Sequence, residues 1–250
     1  MIQLSILKIS GYGPWTLTLG SDREHELQML QSKLYGELQR NFSEKNCLVF
    51  LNRADEFFVV SNGLNLQDHI KIQKNLKEKF YIDISISIGF GDSPFEANLK
   101  AYEGKKNQVF LDKENNIFGF LSDDMEKSVT IMHFDVEDLT SKRKNLSPFE
   151  ISLIIFDLYS KMMKFFSKSN SLTFFMGGDN FMVISDKNAT NNAQNFIDLV
   201  KKQDGIILNC GIGTGKTSRD AARLATKSLD TIREIRDSGK EKPEVYELKC

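Results

Sequence analysis

The sequence predicts an α+β fold made of two tandem units related by internal duplication, each an antiparallel sheet with helices on one face. Three observations carry that reading. The order strand, helix, strand, strand, helix, strand, followed by one further helix and strand, occurs twice. Arg53-Ala54-Asp55-Glu56-Phe57-Phe58-Val59-Val60-Ser61 aligns with Gly177-Gly178-Asp179-Asn180-Phe181-Met182-Val183-Ile184-Ser185, 124 residues further on. The same separation places Ile88-Gly89-Phe90-Gly91 on Ile212-Gly213-Thr214-Gly215, Ala97 on Ala221 and Ala101 on Ala225.

The first unit, residues 1–122, opens with a strand over Ile2 to Ile9 and a turn through Ser10 to Trp15. From about Ser21 a helix follows, because Leu27, Leu30, Leu34 and Leu38 recur at three- and four-residue spacing and form one buried stripe. Strands Cys47 to Leu51 and Glu56 to Val60 flank the Arg53-Ala54-Asp55 turn, and a helix runs from about Leu66 to Phe80. Ile82, Ile84, Ile86 and Ile88 have the period of a strand, which leads to a helix at Phe95 to Lys105 and a strand at Gln108 to Leu111. Charged Asp112 to Lys127 is expected to link the units.

The second unit, residues 123–250, repeats the order. It has a strand at Val129 to Val136, a helix at Pro148 to Ser167 started by Ser147, and a hairpin around Gly177-Gly178. A helix at Ala189 to Lys202, a strand at Ile206 to Gly213, a helix at Ser218 to Ser238 and a strand at Val245 to Leu248 complete it. This is the split βαβ, ferredoxin-like plan, in which the first and third strands lie side by side at the sheet centre.

At 250 residues and 40% hydrophobic the chain has material for a proper core, and a net charge of −1 excludes any global pull towards nucleic acid polymers or an anionic membrane. Cys47, Cys210 and Cys250 have no metal-ligand spacing and form no even disulfide framework. With no signal-peptide pattern and no apolar run of spanning length, a cytoplasmic location is expected.

The candidate chemistry lies in the second unit. Strand adjacency brings Asp135, at the end of Val129 to Val136, next to Asp179 at a glycine hairpin tip. Two converging carboxylates call for a divalent cation, and hard oxygen ligands favour magnesium accompanied by phosphate oxygens. The Val136 carbonyl and Thr140 hydroxyl follow in the same segment. Lys142, Arg143, Lys144, Arg233 and Arg236 are candidates to neutralise a triphosphate. At the 124-residue separation position 11 faces Asp135 and is Gly11, so the first unit lacks that acid, keeps Asp55, and is expected to be structural or interfacial. Gly213-Thr214-Gly215-Lys216-Thr217 lacks the spacing of a phosphate loop and reads as turn structure. His25, His69 and His133 show no zinc spacing, and His133, within a strand, reads as a satisfied core or sheet-face histidine.

Gly177-Gly178-Asp179-Asn180-Phe181 resembles the Gly-Gly-Asp-Glu-Phe signature of diguanylate cyclases, and Phe134 to Thr140 resembles the metal strand of class III cyclases; both belong to palm-type domains. Asn180 replaces the signature glutamate, which argues against cyclic-dinucleotide synthesis. Two fused palms filling the chain resemble the archaeal GTP cyclohydrolase III family over essentially all 250 residues. That resemblance implies hydrolysis of GTP dependent on two Mg²⁺ ions, opening the imidazole ring to 2-amino-5-formylamino-6-(5-phosphoribosylamino)pyrimidin-4(3H)-one with release of phosphate, an early step towards flavin-type cofactors. It implies metal ligation by Asp135, the Val136 carbonyl and Asp179, with catalysis by Asp135 and Asp179. Nucleotide contacts are expected at Gly177, Gly178, Asn180, Thr140, Lys142 and Arg236. A monovalent cation such as K⁺ and a homo-oligomer, a tetramer, belong to the same expectation. The competing readings are a nucleotidyl cyclase and a degenerate nucleotide-binding regulatory module.

Overall fold

The computed structural model describes residues 1–122, 128–137, 146–186 and 188–250. The chain divides into two compact units, one of residues 1–92 and 96–126 and the other of residues 93–95 and 127–250. The first sheet and its helices comprise β1 (Ile2–Ile9), α1 (Tyr12–Leu17), α2 (Glu24–Ser43), β2 (Leu48–Arg53), β3 (Glu56–Val60), α3 (Leu66–Phe80), β4 (Ile84–Gly91), α4 (Pro94–Lys106), β5 (Phe110–Asp112) and β6 (Ile117–Gly119). The second comprise β7 (Val129–Val136), α5 (Pro148–Lys168), β8 (Leu172–Gly177), β9 (Asn180–Ser185), α6 (Ala189–Asp204), β10 (Leu208–Gly215), α7 (Ser218–Asp237) and β11 (Val245–Lys249).

The strand orders are β2-β3-β1-β4-β6-β5 and β11-β10-β7-β9-β8, so both sheets contain the expected ferredoxin-like core with the unit's first strand between its third and fourth. That first strand is antiparallel to both neighbours in each sheet. The added strands make the sheets mixed rather than purely antiparallel, since β6 runs parallel to β4 and β11 parallel to β10. Strand β6 falls where a linker was expected. Asn116, at φ 53°, turns the chain back from β5, and Ile117 is then fully buried against the first core. The expected turn after β1 likewise contains the short helix α1.

Local chemistry starts the helices. Ser147 Oγ accepts from the Glu150 amide at 3.3 Å while the Glu150 carboxylate accepts from the Ser147 amide at 2.7 Å, and Pro148 lacks the amide that would be unpaired in the first turn of α5. Asn65 and Asp68 form the same reciprocal box at the start of α3.

The helices do not all share one face. Alternate strand residues point to opposite sides, and along β10 Cys210 and Ile212 join the core formed with α5 and α6. On the other side, a Cβ placed on Gly213 would lie 2.1 Å from the Ala221 carbonyl oxygen and 2.3 Å from the Ala225 nitrogen, both in α7. In β4, Gly89 stands in the same relation to Ala97 and Ala101 of α4. The glycine and alanine matches between the copies therefore record a strand pressed directly under a helix. Gly213-Thr214-Gly215 is strand rather than turn.

Register also revises the alignment of the first strands. Asp135 pairs with Asn180 and Asn209, whereas Lys8 pairs with Glu56 and Ser85, the residues 124 positions before those two. The counterpart of Asp135 is thus Lys8, 127 residues earlier, and not Gly11. Between strands one and three the second copy is three residues shorter than the 124-residue separation predicts.

Among the described residues, no helix is long and apolar enough to cross a membrane. Cys47 and Cys210 are buried and Cys250 is exposed; all three are unbridged.

Candidate active site

The turn that joins β8 to β9 requires glycine at its first position and favours it at the second, because Gly177 and Gly178 adopt φ of 104° and 62°. Asp179 closes this turn, and Asn180 begins β9 opposite Asp135. The hairpin and the sheet centre thus bring Asp135 and Asp179 together. Burial pushes the Asp135 carboxyl above the usual carboxylate range; the Arg233 guanidinium opposes that rise and the Asp179 charge adds to it. Arg233, in the last turns of α7, places Nη2 3.2 Å from Asp135 Oδ1 and Nη1 3.0 Å from Asp230 Oδ1.

A hydrogen-bonded chain fixes the other carboxylate. Asn180 Nδ2 donates to Asp179 Oδ1 at 2.9 Å, which leaves its amide oxygen to accept from His133 Nε2 at 3.0 Å. His133 Nδ1 then accepts from the Thr226 hydroxyl at 3.2 Å. Burial holds the imidazole below its ordinary pKa, so the neutral Nε2–H tautomer is the one these partners select. His133 does sit on the sheet face, as expected, and there it bridges α7 to the hairpin.

Beside the tip, a cleft of about 320 Å³ is lined by Ile151, Ser152, Ile155 and Phe156 of α5 and by Phe175, Gly178 and Asp179. The Phe156 and Phe175 ring centroids are 5.7 Å apart. The cleft presents an apolar wall on one side and a carboxylate on the other. Neither aromatic residue was a sequence candidate, because each lies in a near-continuous apolar run that carries no mark of a site; Phe156 falls off the buried stripe of α5 and is 57% exposed.

Among the described residues no group of three or more His, Cys, Asp or Glu side chains could hold a metal ion. A pair of carboxylates beside the carbonyl-bearing residue Val136, which ends β7, is nonetheless the donor set that suits magnesium, an ion that retains waters and takes substrate phosphate as further ligands. Of the predicted cations, Arg233 reaches Asp135, while Arg236 Nε pairs with Asp237 at 3.0 Å. Thr140, Lys142, Arg143 and Lys144 lie outside the described residues. In the first unit His69 is buried and bonded to the Ser5 hydroxyl and the Asn65 carbonyl, both at 2.7 Å, a satisfied core histidine.

A sequence model of the family described as GTP cyclohydrolase III matches residues 2–245. The GTP cyclohydrolase III of Methanosphaera stadtmanae is 34% identical over 238 residues, covering 93% of each chain. Those of Methanococcus vannielii and Methanocaldococcus jannaschii are 33% and 32% identical, covering 100% and 93% of this chain and 94% and 88% of theirs. Among solved structures, the active GGEEF domain of a diguanylate cyclase from Vibrio cholerae is similar to 49% of this chain over 83% of its own, with a TM-score of 0.40 and 11% identity. With identity above 30% across nearly the whole length of several relatives and a family match spanning both units, the chain belongs to the GTP cyclohydrolase III family.

Proposed function

We propose that the second unit hydrolyses GTP in a magnesium-dependent reaction that opens the imidazole ring between C8 and N9 and releases phosphate, giving 2-amino-5-formylamino-6-(5-phosphoribosylamino)pyrimidin-4(3H)-one. The observation that carries this reading is the convergence of Asp135 and Asp179 beside an apolar cleft, in a chain of this family. Asp135, the Val136 carbonyl and Asp179 would hold two magnesium ions, which supply charge neutralisation at phosphate and an activated water. Asn180 holds the Asp179 carboxylate in one orientation, and His133 holds Asn180. Arg233 pairs with Asp135, opposing the rise that burial gives its pKa, and offers its half-exposed guanidinium to phosphate oxygens. The cleft is too small for a whole nucleoside triphosphate, so it suits the flat base laid against the wall of Phe156, Phe175 and Ile151, with the phosphates outside towards the carboxylates. A monovalent cation such as K⁺ near the base and a tetrameric assembly complete the proposal.

Incubating the protein with GTP and magnesium, and following both the ultraviolet spectrum and phosphate release, tests it. Loss of the purine absorbance together with phosphate release is expected, and both should cease without magnesium yet survive a zinc-selective chelator. Pyrophosphate release with an intact purine spectrum would indicate a cyclase, and no turnover a binding module. Activity lost on zinc removal and restored by zinc alone would refute the metal assignment.

A further inference from the structure

In the first unit the place of Asp135 is taken by a lysine. Lys8 pairs across the sheet with Glu56 and Ser85, as Asp135 pairs with Asn180 and Asn209. Its ammonium lies 3.6 Å from the Glu56 carboxylate and 3.8 Å from that of Asp55, the counterpart of Asp179. A position that would gather a cation between carboxylates is therefore served by a cation the chain carries itself. A second lysine joins it. Lys105 of α4 extends beneath the helix to bond the Ser85 hydroxyl, and its ammonium is pushed below its ordinary pKa by burial and then by the nearby Lys8 charge.

These groups line a cleft of about 570 Å³ on the α4 side of the first sheet. That volume is in the range of small-molecule sites. Its polar side carries Lys8, Arg53 and Lys105, with Asp55 and Glu56 offsetting only part of the charge. Its apolar side carries Phe58 with Leu99 and Tyr102, which are 44% and 58% exposed, high for large apolar side chains on a helix that packs on a sheet. The Lys106 ammonium stands 5.9 Å from the Tyr102 ring centroid, adding positive charge at the rim. Basic groups on one wall and an exposed ring on the other are complementary to an anion with a flat body.

We propose that this cleft is a second, metal-independent site in the first unit for a nucleoside monophosphate, its phosphate held by Lys8, Lys105 and Arg53 and its base laid against Tyr102 and Leu99. Direct ammonium and guanidinium contacts replace the divalent ion that a carboxylate site needs to hold phosphate. The site is independent of the chemistry assigned to the second unit.

Titration calorimetry of the full chain with guanosine monophosphate in excess chelator tests the proposal. One equivalent should bind, and guanosine or inorganic phosphate alone should bind at least tenfold more weakly. Lys105→Met should weaken binding about 10- to 100-fold, the loss of one charge-assisted contact. Tyr102→Ala, at an exposed position that folding does not require, should weaken it severalfold, and Asp179→Asn should leave it unchanged. If Lys105→Met fails to fold by circular dichroism, Tyr102→Ala and Lys8→Met decide. The proposal is overturned by the absence of saturable binding at millimolar ligand, by binding that survives the cleft variants, or by binding lost in Asp179→Asn, which would place the ligand in the second unit.

Discussion

Asp135→Asn separates the contribution of a residue to catalysis from its contribution to folding. The carboxylate side chain is 15% exposed and its nearest cation, Arg233, is 3.2 Å away and itself 41% exposed. At water-like screening an attraction across that distance is about 1.3 kcal/mol. Burial outweighs it, because the Asp135 pKa moves up rather than down. A carboxyl whose folded pKa is raised costs stability once pH exceeds its unfolded value, so at neutral pH the charged form opposes folding. Asparagine has the same shape, keeps an oxygen for Arg233 and removes that cost. We expect the variant's Tm in chelator to match or exceed the parent's, on a scale where about 1 kcal/mol is roughly 2–4 °C, while magnesium-dependent GTP turnover falls at least about 100-fold, or about 2.7 kcal/mol. Calorimetry in chelator and phosphate release in magnesium, at one pH, give the two readings. A drop of 2 °C or more on the same scale would show that the Arg233 pair is a structural strut. Turnover within about threefold of the parent, under 1 kcal/mol, would remove Asp135 from the chemistry.

Three further outcomes follow from the same geometry. Asp179→Asn should lower turnover about 100-fold and Asp55→Asn by less than about threefold; similar losses in a steady-state assay would contradict the assignment of catalysis to the second unit. Glu37, held to a pKa of about 2 by the Arg40 and Lys79 hydrogen bonds, contributes stability that is complete above its unfolded value of 4.5 and lost as pH falls through about 2. Because those partners are half-exposed, Glu37→Gln should cost on the order of 1–2 kcal/mol at pH 7, and denaturant midpoints of the two proteins should converge in acid. Gly213→Ala forces a methyl to within 2.1 Å of α7 backbone, so a loss of about 3 kcal/mol or more is expected, read as a lower Tm; an unchanged Tm would contradict the close packing.

The hairpin, its two glycines and the pairing of Asp135 with the hairpin strand were legible in sequence, because each leaves a local signature: positive φ, period-two alternation, and a carboxylate at a strand end. The counterpart of Asp135 in the first unit was not. Strand β1 is buried on both faces, so its residues hardly alternate, and apolarity could not distinguish a separation of 124 from one of 127. Lys8 became visible only through its cross-strand partners. Strand β6 has three residues and follows a charged turn, too short to show a period. The choice between Arg233 and Arg236 was also out of reach, since the two lie three positions apart on one helix and only the packing of α7 on the sheet brings the former to Asp135.

The bare glycine row beneath α7 has a consequence for how such a site can be adjusted. Arg233 touches Asp135 and Thr226 touches His133 because the helix that carries them rests on strand backbone with nothing between. Gly211 and Gly213 act as spacers of zero thickness, setting the reach of two polar side chains without taking part in any bond those side chains make. In the first unit the same spacer at Gly89 sits under α4, where the reaching residue is Lys105 instead. One scaffold dimension thus serves two different sets of polar side chains, and a change of what they touch needs new side chains at the helix while the distance across which they act is inherited ready-made.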